Sequence, residues 1–505
     1  MKELMLGNKA LARGLWEAGV AFVSSYPGTP STEITEEAVK FDEIYCEWAP
    51  NEKVAMESAF GASLAGRRAF CGQKHVGLNV AADPLYTLSY TGVNAGLVVV
   101  VADDAGMHSS QNEQDSRHHA IAAKVPMLEP SDSAEALQFA KLAYEISEQF
   151  DTPVIIKMCT RVAHSQSVVE TSERVEFSKP YEKNIAKYVM MPGNAKKRHP
   201  IVEERTEKLI AYAETTPINR VEFFTDELGI ITSSTCYQYV KEVFGEGASV
   251  LKLGMVNPLP VELIKNFAAK VKRLVVVEEL DPIIETHVKA LGLKVEGSNL
   301  LPRIDEFSQN IIAEALGKTI THSELRITNC PPRPPVMCAG CPHRGMFYSL
   351  KKRKCTVLGD IGCYTLGAVP PLSTIEMTLC MGASIGATHG FNKMLGSAGE
   401  NKTVAVIGDS TFVHSGMTGL ANVAYNQSNS TVIILDNSIT GMTGHQQNPT
   451  TGLNIKGDPA GKINLEALCR AMGINRVRVV DPYNLKECDV AIKEELAAAE
   501  PSVII

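Results

Sequence analysis

Short runs of apolar residues alternate with amphipathic stretches through most of the chain. The apolar runs consist mainly of Val, Ile and Leu, and several of them end in Gly, Asp or Ser. Such runs predict strands that are buried on both faces, and the stretches between them predict crossover helices. The clearest strand predictions are residues 21–26, 96–103, 152–158, 228–234, 273–279, 403–409 and 431–437. The pattern therefore predicts an α/β protein with doubly wound, mainly parallel sheets.

Two breaks in this alternation divide the chain. Residues 164–225 are rich in charge and irregular in pattern, which indicates a linker that carries a helix, and residues 329–344 are rich in Pro and Cys. Four segments are predicted from these breaks: a domain at 1–163, the linker at 164–225, a second domain at 226–318 and a third at 319–505.

The first twenty residues carry apolar side chains at helical spacing. Leu4, Leu11, Leu15 and Val20 would share a face, so we predict an amphipathic helix here and not a signal peptide. No apolar run in the sequence approaches the roughly 18 residues that indicate a membrane span. These features predict a cytoplasmic protein.

The amino-acid composition and net charge argue against some classes of protein function. The chain has 505 residues, of which 45% are hydrophobic and 21% charged, with a formal net charge of -8. Its length predicts several domains, and its acidic balance argues against nucleic-acid binding, which calls for a basic excess. Twelve cysteines in so long a chain do not indicate a disulfide framework. Six stand singly beside apolar residues and are predicted to be buried thiols: Cys46, Cys71, Cys159, Cys236, Cys469 and Cys488.

Two neighbouring predicted strands end in polar residues. One ends in Gly408-Asp409-Ser410, the next in Asp436-Asn437, and 25 residues lie between Ser410 and Asp436. That spacing fits one crossover helix between adjacent parallel strands. Asp409 and Asn437 would then lie at the same ligand-binding edge of the sheet. A carboxylate, an amide oxygen and a nearby backbone carbonyl suit Mg²⁺, which commonly completes its shell with phosphate oxygens.

This pair resembles the thiamine-diphosphate motif, with two departures. Ser410 replaces the last Gly of the motif and Asp436 replaces its first Asn, although neither position usually ligates the metal. Residues 440–446 supply Gly, Thr and backbone N–H groups to a phosphate. The segment 380–391, which includes Gly382, fits a small-residue helix beside the diphosphate. Ordinary strand-end turns and tight helix packing are the alternative interpretations.

Thiamine also needs a carboxylate beside its pyrimidine ring. Glu52 opens a predicted helix over residues 51–69 that is rich in Ala and Gly. An apolar setting raises the protonated fraction of such a carboxylate, although a Glu at a helix N-terminus is favourable without any cofactor. Glu57, inside the same helix, is the weaker candidate. The turn at 25–34 offers the hydroxyl of Thr29.

Six segments together resemble the 2-oxoacid:ferredoxin oxidoreductases, in particular the alpha subunits of the indolepyruvate type. They are "YPGTPST", "NEKVAMESAFGASLAG", "MHSSQNEQDSR", "CAGCPHRG", "GDIGCYTLG" and "LDNSITGMTGHQ". The resemblance covers nearly the whole chain and implies pyrimidine-binding, transketolase-C-like and diphosphate-binding domains in that order. It further implies thiamine-dependent oxidative decarboxylation of an aryl pyruvate to an aryl-acetyl-CoA, with electrons passing to ferredoxin. A smaller beta subunit, assembled as a dimer of heterodimers, is implied as partner.

The resemblance assigns catalytic roles to individual residues. Glu52 would activate the pyrimidine, and Thr29 would contact substrate or cofactor. Arg117 would bind the substrate carboxylate, with a surface salt bridge as the alternative. His108 and His445 would line the substrate pocket, or else be structural.

The resemblance also assigns the metal and diphosphate residues. Asp409, Asn437 and the carbonyl oxygen of Ile439 would hold Mg²⁺. The other residues near the cofactor would be Gly408, Ser410, Thr443, Gly444, Cys363 and Gly382.

A group of cysteines in the last third of the chain is a candidate iron–sulfur site. Cys338, Cys341 and Cys363 match three of the four thiolates that hold a [4Fe–4S] cluster in related enzymes. The fourth ligand is not identified, and its candidates are Cys330, Cys355 and Cys469. A zinc site, or no metal at all, remains open. The sequence stops at Ile505 inside a predicted strand and before the Cys-rich ferredoxin-like module of the family. Either the sequence is truncated there or a separate electron carrier serves it.

Two other functions remain open from the sequence. A non-oxidative thiamine-dependent decarboxylase or lyase would use the same thiamine residues without iron. A degenerate subunit would bind thiamine for assembly without turnover. Since no residue selects an indole ring, the substrate class rests on the resemblance alone.

Overall fold

The computed structural model describes residues 1–319, 331 and 333–505, whose strands form four β-sheets. The chain divides into two units, Met1–Arg326 and Ile327–Ile505. The first unit contains a seven-stranded, a four-stranded and a two-stranded sheet, and the second contains a six-stranded sheet. Because the three larger sheets are mainly parallel, the predicted α/β fold class is confirmed.

The largest sheet has seven strands and belongs to the first unit. In spatial order its strands are Met255–Asn257 (β12), Met127–Leu128 (β6), Val154–Cys159 (β7), Leu97–Asp103 (β5), Ala69–Lys74 (β4), Phe22–Ser25 (β2) and Tyr45–Trp48 (β3). Every pairing is parallel except that of β12, which runs antiparallel to β6 at the edge. Every residue of β4, β5 and β7 is buried, which explains why these strands read as continuous runs without alternation.

The four-stranded sheet lies in the same unit. In spatial order its strands are Arg273–Val277 (β13), Leu228–Ser233 (β10), Ser249–Leu253 (β11) and the antiparallel Arg220–Glu222 (β9). The predicted linker at 164–225 contains β9 and a helix of 24 residues, Pro192–Thr215. The domain boundaries at 163, 225 and 318 stay predictions.

Helices connect the strands of this unit. They are Gly7–Glu17 (α1), Thr32–Ala38 (α2), Glu52–Leu64 (α3), His75–Val80 (α4), Ala82–Thr91 (α5), Arg117–Ala123 (α6), Ser133–Phe150 (α7), Thr160–His164 (α8), Ile185–Tyr188 (α9), Pro192–Thr215 (α10), Ser234–Phe244 (α11), Val261–Ala268 (α12), Ile283–Ala290 (α13) and Gln309–Ala315 (α14). Helix α7 shows how the sequence starts such a helix: the side chain of its N-cap, Asp132, accepts a bond of 2.9 Å from the backbone N–H of Glu135.

The prediction for the N-terminal segment is partly wrong. Lys2–Leu6 forms a strand (β1) that pairs antiparallel with Gln166–Glu170 (β8), and α1 begins only at Gly7. Leu4 is therefore exposed on a strand, whereas Leu11 and Leu15 lie on the buried face of α1 as predicted. The strand forms because β8, far along the chain, satisfies its backbone groups, and helical periodicity carries no sign of such a partner.

The second unit is built on an all-parallel sheet. In spatial order its strands are Ile375–Met377 (β15), Thr356–Leu358 (β14), Thr403–Gly408 (β16), Thr431–Leu435 (β17), Ser502–Ile504 (β19) and Arg476–Arg478 (β18). Its helices are His343–Arg353 (α15), Ala383–Leu395 (α16), Ser397–Glu400 (α17), Asp409–Thr411 (α18), Met417–Tyr425 (α19), Leu465–Ala471 (α20) and Leu485–Leu496 (α21), with a 3₁₀ helix at Cys363–Ala368 and a π-helical turn at Phe412–Gly416. Strands β16 and β17 are neighbours joined through α19, as the spacing predicted.

All seven predicted strands overlap an observed strand. The six single cysteines predicted to be buried thiols are buried. In the part of the chain that the structure describes, no helix is long and apolar enough to span a bilayer.

Candidate functional site

Asp409 lies at the carboxyl end of β16, where the chain turns into α18. Its side chain is buried, and only 2% of the residue is exposed. One carboxylate oxygen, Oδ2, accepts hydrogen bonds from Oγ1 of Thr450 at 2.6 Å and from Nδ2 of Asn448 at 3.3 Å. Burial raises the pKa of Asp409, and the nearby Asp436 raises it further, while these two donors act in the opposite direction.

The other oxygen of Asp409 takes part in a cluster of three oxygens. The side-chain oxygen of Asn437 lies 3.1 Å from Oδ1 of Asp409 and 2.9 Å from the carbonyl oxygen of Ile439. Without a cation, rotation of the amide would be favoured, because its nitrogen would then donate to both oxygens. In an octahedron with Mg–O distances of about 2.1 Å, neighbouring ligand oxygens are about 3.0 Å apart. With the Asn437 oxygen in this orientation, the three oxygens fit Mg²⁺ in type and in the two distances that Asn437 makes.

A loop over residues 438–446 closes one side of this cluster. The backbones of Thr440 and Gln446 bond each other in both directions, at 3.0 and 3.2 Å. Gly444 has φ +124°, a conformation that strongly favours glycine. The hydroxyl of Thr440 donates to Oγ of Ser410 at 3.0 Å, so Ser410 anchors the loop to the strand end. Thr443 is held by Gln446, whose Nε2 donates to the Thr443 carbonyl oxygen at 3.0 Å.

Asp360 organises the helix of small residues. Its Oδ1 accepts from the N–H of Gly382 at 2.8 Å and its Oδ2 from the N–H of Ser384 at 2.9 Å, so it caps the start of α16. Burial raises the pKa of Asp360. Gly382 has φ +89°, and a Cβ there would lie 2.6 Å from Cβ of Ser415. Glycine thus lets the start of α16 approach the turn that follows Asp409.

Cys363 lies beside the same loop. A Cβ on Gly441 would be 3.3 Å from its Sγ. Burial raises the pKa of Cys363, and the neighbouring Cys338 and Cys341 raise it further. Within residues 1–319, 331 and 333–505, no three His, Cys, Asp or Glu side chains are arranged as a metal site. Cys330 lies outside the described residues, and the iron–sulfur site stays a prediction.

Thr29 and Glu52 lie at one edge of the largest sheet. Strands β2, β3 and β4 are parallel, and Ser25 at the end of β2 pairs with both Trp48 and Gly72. Thr29 follows β2 and Glu52 follows β3, so both lie at the carboxyl edge. This is the edge at which parallel α/β sheets bind ligands.

Glu52 is held in a buried position at the start of α3. It is 4% exposed, and the N-cap Asn51 accepts from the backbone N–H of Val54 at 2.9 Å. A Cβ on Gly77 would come within 2.6 Å of Oε1 of Glu52. Burial raises the pKa of the Cys71 thiol, and the nearby Glu52 carboxylate raises it further. Glu52 is therefore buried at the start of α3, against the helix that follows β4.

Comparisons with known families match both edges. Residues 360–505 match the family described as "Thiamine pyrophosphate enzyme, C-terminal TPP binding domain". Residues 13–224 match "Pyruvate flavodoxin/ferredoxin oxidoreductase, thiamine diP-bdg". The Asp409 cluster falls in the first match and Glu52 in the second, so the chain contains thiamine diphosphate-binding domains.

Relatives that match over the whole of this chain establish the family to which it belongs. Indolepyruvate oxidoreductase subunit IorA of Archaeoglobus fulgidus is 41% identical over 100% of this chain and 86% of its own length. IorA of Pyrococcus horikoshii is also 41% identical, over 100% of this chain and 85% of its own length. The chain belongs to the IorA family of indolepyruvate oxidoreductase subunits. It is therefore a subunit of a thiamine diphosphate-dependent 2-oxoacid oxidoreductase.

A solved structure agrees with the IorA fold. The 2-oxoglutarate:ferredoxin oxidoreductase from Magnetococcus marinus, with 2-oxoglutarate, coenzyme A and succinyl-CoA bound, superimposes with a TM-score of 0.53. The match covers 63% of this chain and 65% of that chain at 18% identity. At this identity the similarity supports the fold alone.

Arg117 lies in a buried ion-pair network in this IorA-family chain, and its role at the substrate carboxylate stays a prediction. It is 1% exposed and pairs with Asp115 and Glu278, each at 2.6 Å. Its Nη2 also donates to the carbonyl oxygens of Glu279 and Asp281, at 3.0 and 2.8 Å. Because all three guanidinium nitrogens already donate to protein oxygens, Arg117 joins α6 to the residues after β13. It is not a surface salt bridge.

The two histidines have different surroundings. Nε2 of His108 lies 3.2 Å from Oε2 of Glu306, and the His108 side chain is half exposed, which favours the structural alternative. His445 is exposed, with φ +70°, in the loop beside the oxygen cluster. A role for His445 at the substrate stays a prediction.

Three residues of the site were not predicted from the sequence. Asp360 stands in the segment "GDIGCYTLG", which suggested only Cys363 as a functional residue. Asn448 and Thr450 stand in "NPT", one residue beyond the loop over residues 438–446. An Asn-Pro pair marks a turn, and that is the one local signal for the position of these two side chains.

Proposed function

We propose that this chain is the thiamine-binding subunit of an enzyme that oxidatively decarboxylates aryl pyruvates, with indolepyruvate as substrate. The product would be the aryl-acetyl-CoA, and the electrons would pass to ferredoxin. The observation that carries the proposal is the cluster of Asp409, Asn437 and Ile439 oxygens within a chain related over its full length to IorA subunits. A smaller beta subunit, a dimer of heterodimers and a cytoplasmic location belong to the same proposal.

The cluster would hold Mg²⁺ together with the diphosphate of the cofactor. Asp409, Asn437 and the carbonyl oxygen of Ile439 would be the protein ligands. Thr443 and Gly444 would lie near the phosphate groups in the loop. Gly382 would let the start of α16, which Asp360 caps, lie close to the cofactor.

Glu52 would act on the pyrimidine part of the cofactor. When bound, thiamine diphosphate supplies a nucleophilic carbon and accepts the electron pair released by decarboxylation. Glu52 would hydrogen-bond the ring and exchange a proton with it, as a buried and positioned general acid–base group. Thr29, at the same sheet edge, would donate a hydrogen bond to substrate or cofactor.

Cys338, Cys341 and Cys363 would hold an iron–sulfur cluster as an electron acceptor. The effect of Cys338 and Cys341 on the pKa of Cys363 supports this assignment, because it indicates that the three thiols lie in the same region of the fold. Coenzyme A would take up the acyl group.

The test is anaerobic purification of the chain with its smaller subunit, followed by thiamine, magnesium and iron analysis. Reduction of a viologen dye is then measured with indolepyruvate and coenzyme A. We expect bound thiamine and Mg²⁺ and a dye reduction that requires both substrates. Preparations without thiamine or Mg²⁺ after supplementation would overturn the proposal at its base. Release of CO₂ without dye reduction would identify a non-oxidative decarboxylase instead.

A matched pair of variants tests Glu52. Glu52→Gln keeps the shape but removes the exchangeable acid, so we expect kcat to fall by about 10²–10³-fold. Glu57→Gln on the same helix is the control, because Glu57 is exposed and pairs only with Lys53 in the described ion pairs. Wild-type activity in both variants would contradict the pyrimidine assignment.

A further inference from the structure

We propose that Thr450 and Asn448 are positioning residues that keep Asp409 a single-oxygen ligand and so make the site select Mg²⁺ over Ca²⁺. This inference rests on the proposed metal site and adds a determinant of its specificity. Thr450 and Asn448 do not belong to the Gly-Asp and Asn pattern that identified the site.

The two oxygens of Asp409 have separate tasks. Oδ1 faces the oxygen of Asn437 at 3.1 Å and so belongs to the ligand cluster. Oδ2 points the other way and accepts from Thr450 at 2.6 Å and from Asn448 at 3.3 Å. Asp409, Asn448 and Thr450 are all buried, so water does not compete for these hydrogen bonds. The carboxylate is fixed in rotation by its second oxygen.

The hydrogen count supports donation by Thr450 to the carboxylate. Oγ1 of Thr450 lies 2.6 Å from Oδ2 of Asp409 and 2.7 Å from Oδ1 of Asn448, but it carries a single hydrogen. The backbone N–H of Thr450 already donates to Oδ1 of Asn448 at 2.8 Å. The hydroxyl hydrogen is therefore best used by the carboxylate, since a hydrogen bond to a charged acceptor is the stronger one. The bond from the Thr450 N–H to the Asn448 side chain thus positions the Thr450 hydroxyl, which donates to Asp409.

This restraint discriminates between cations. Mg²⁺ requires a near-ideal octahedron, in which a carboxylate supplies one oxygen. Ca²⁺ is larger, takes 6–8 oxygens and often binds a carboxylate through both of them. For Asp409 to bind through both oxygens, Oδ2 would have to rotate away from Thr450 and Asn448 and leave buried donors unpaired. Binding of Ca²⁺ through both oxygens would require this unfavourable rotation, whereas binding of Mg²⁺ through one oxygen would not.

The experiment compares Thr450→Val and Thr450→Ser with wild type, using the full chain with thiamine diphosphate. Bound Mn²⁺ is followed by electron paramagnetic resonance and displaced by Mg²⁺ or by Ca²⁺. For Thr450→Val we expect Mg²⁺ affinity to fall about 10–100-fold, the usual effect of losing a residue that orients a metal ligand. Ca²⁺ affinity should stay the same or rise, because Asp409 can then turn both oxygens to the cation, and Thr450→Ser should restore the wild-type ratio because it keeps the hydroxyl.

The controls separate the possible failures. Thr418→Val removes a hydroxyl that donates to the Ser415 carbonyl at 2.9 Å on an exposed face of α19, and should leave both affinities unchanged. Equal losses for Mg²⁺ and Ca²⁺, or none, in Thr450→Val would overturn this inference while leaving the metal site in place. Wild type that binds no Mn²⁺ with thiamine diphosphate would overturn the proposed function as well. If Thr450→Val does not fold, Asn448→Ala takes its place with the same expected direction.

Discussion

The carboxylate of Glu52 lies directly against Gly77: a Cβ placed on Gly77 would be 2.6 Å from both Cγ and Oε1 of Glu52. Gly77 lies within α4 and has no positive φ, so space and not backbone conformation requires glycine here. The position of the proposed pyrimidine-activating acid therefore depends on a missing side chain on a neighbouring helix.

Gly77→Ala should reduce activity without unfolding the protein. The added methyl group meets the movable end of Glu52, so the carboxylate shifts while the fold is retained, and alanine favours the helix by up to about 1 kcal/mol. We expect kcat to fall by at least about tenfold, with an unchanged thermal midpoint. Gly61→Ala in α3 is the control, because a Cβ there meets nothing within 4 Å. Full activity in Gly77→Ala would show that the observed position of Glu52 is not needed for turnover.

Arg117→Ala should lower the free energy of unfolding. It leaves the carboxylates of Asp115 and Glu278 buried without their cation, which costs about 3–5 kcal/mol for such a pair. Thermal and urea denaturation followed by circular dichroism measure the loss. Arg67→Ala, on an exposed residue, should change stability by less than about 0.5 kcal/mol. A stable Arg117→Ala protein with a raised KM for indolepyruvate would instead support the substrate-binding role.

Glu279 should make stability depend on pH. Burial raises its pKa from 4.5 to about 7, so the folded chain keeps this proton to a higher pH than the unfolded chain. Unfolding then releases a proton between about pH 4.5 and 7, and stability falls as pH rises through that window. Glu279→Gln still offers an oxygen to the N–H of Phe307, which donates at 2.7 Å, and removes the titration.

The comparison of wild type with Glu279→Gln over pH isolates this effect. The two proteins should have similar stability at pH 5, and the variant should be the more stable at pH 8, by about 3 kcal/mol at most. Parallel denaturation midpoints from pH 5 to pH 8 would show that Glu279 has a similar pKa in both states.

The cysteine prediction is tested by iron content. If Cys338, Cys341 and Cys363 hold a cluster, then Ser at any one of them should lower bound iron and the visible absorption after anaerobic reconstitution. Cys380→Ser is the control, since Cys380 is exposed and is not one of the predicted ligands. Zinc in place of iron would support a zinc site at these cysteines. Metal-free protein would support the alternative that they bind no metal.

The sequence could predict that Asp409 and Asn437 lie close together because both positions follow from regular structure. Each residue follows a buried strand, and one helix separates those strands, so their proximity is a property of parallel sheets. The start of a helix at Glu52 was predicted on similar grounds. The roles of these residues at a metal and a cofactor stay predictions.

Contacts that depend on irregular segments could not be predicted. Thr450 reaches Asp409 across 41 positions from a loop without periodicity. Arg117 meets Glu278 across 161 positions, so nothing near it in sequence indicated burial. Leu4 was assigned to a helix because its strand partner, β8, lies far along the chain.

The edge strand β12 has a consequence for synthesis. In the largest sheet, β6 gains its outer partner only from Met255–Asn257 (β12), well beyond the first predicted domain. While the ribosome is still making the intervening residues, the backbone groups on that side of β6 stay unpaired and open to other chains. The nascent N-terminal region would therefore be most prone to aggregation until residue 257 has emerged, and slower translation between residues 163 and 257 would prolong that interval.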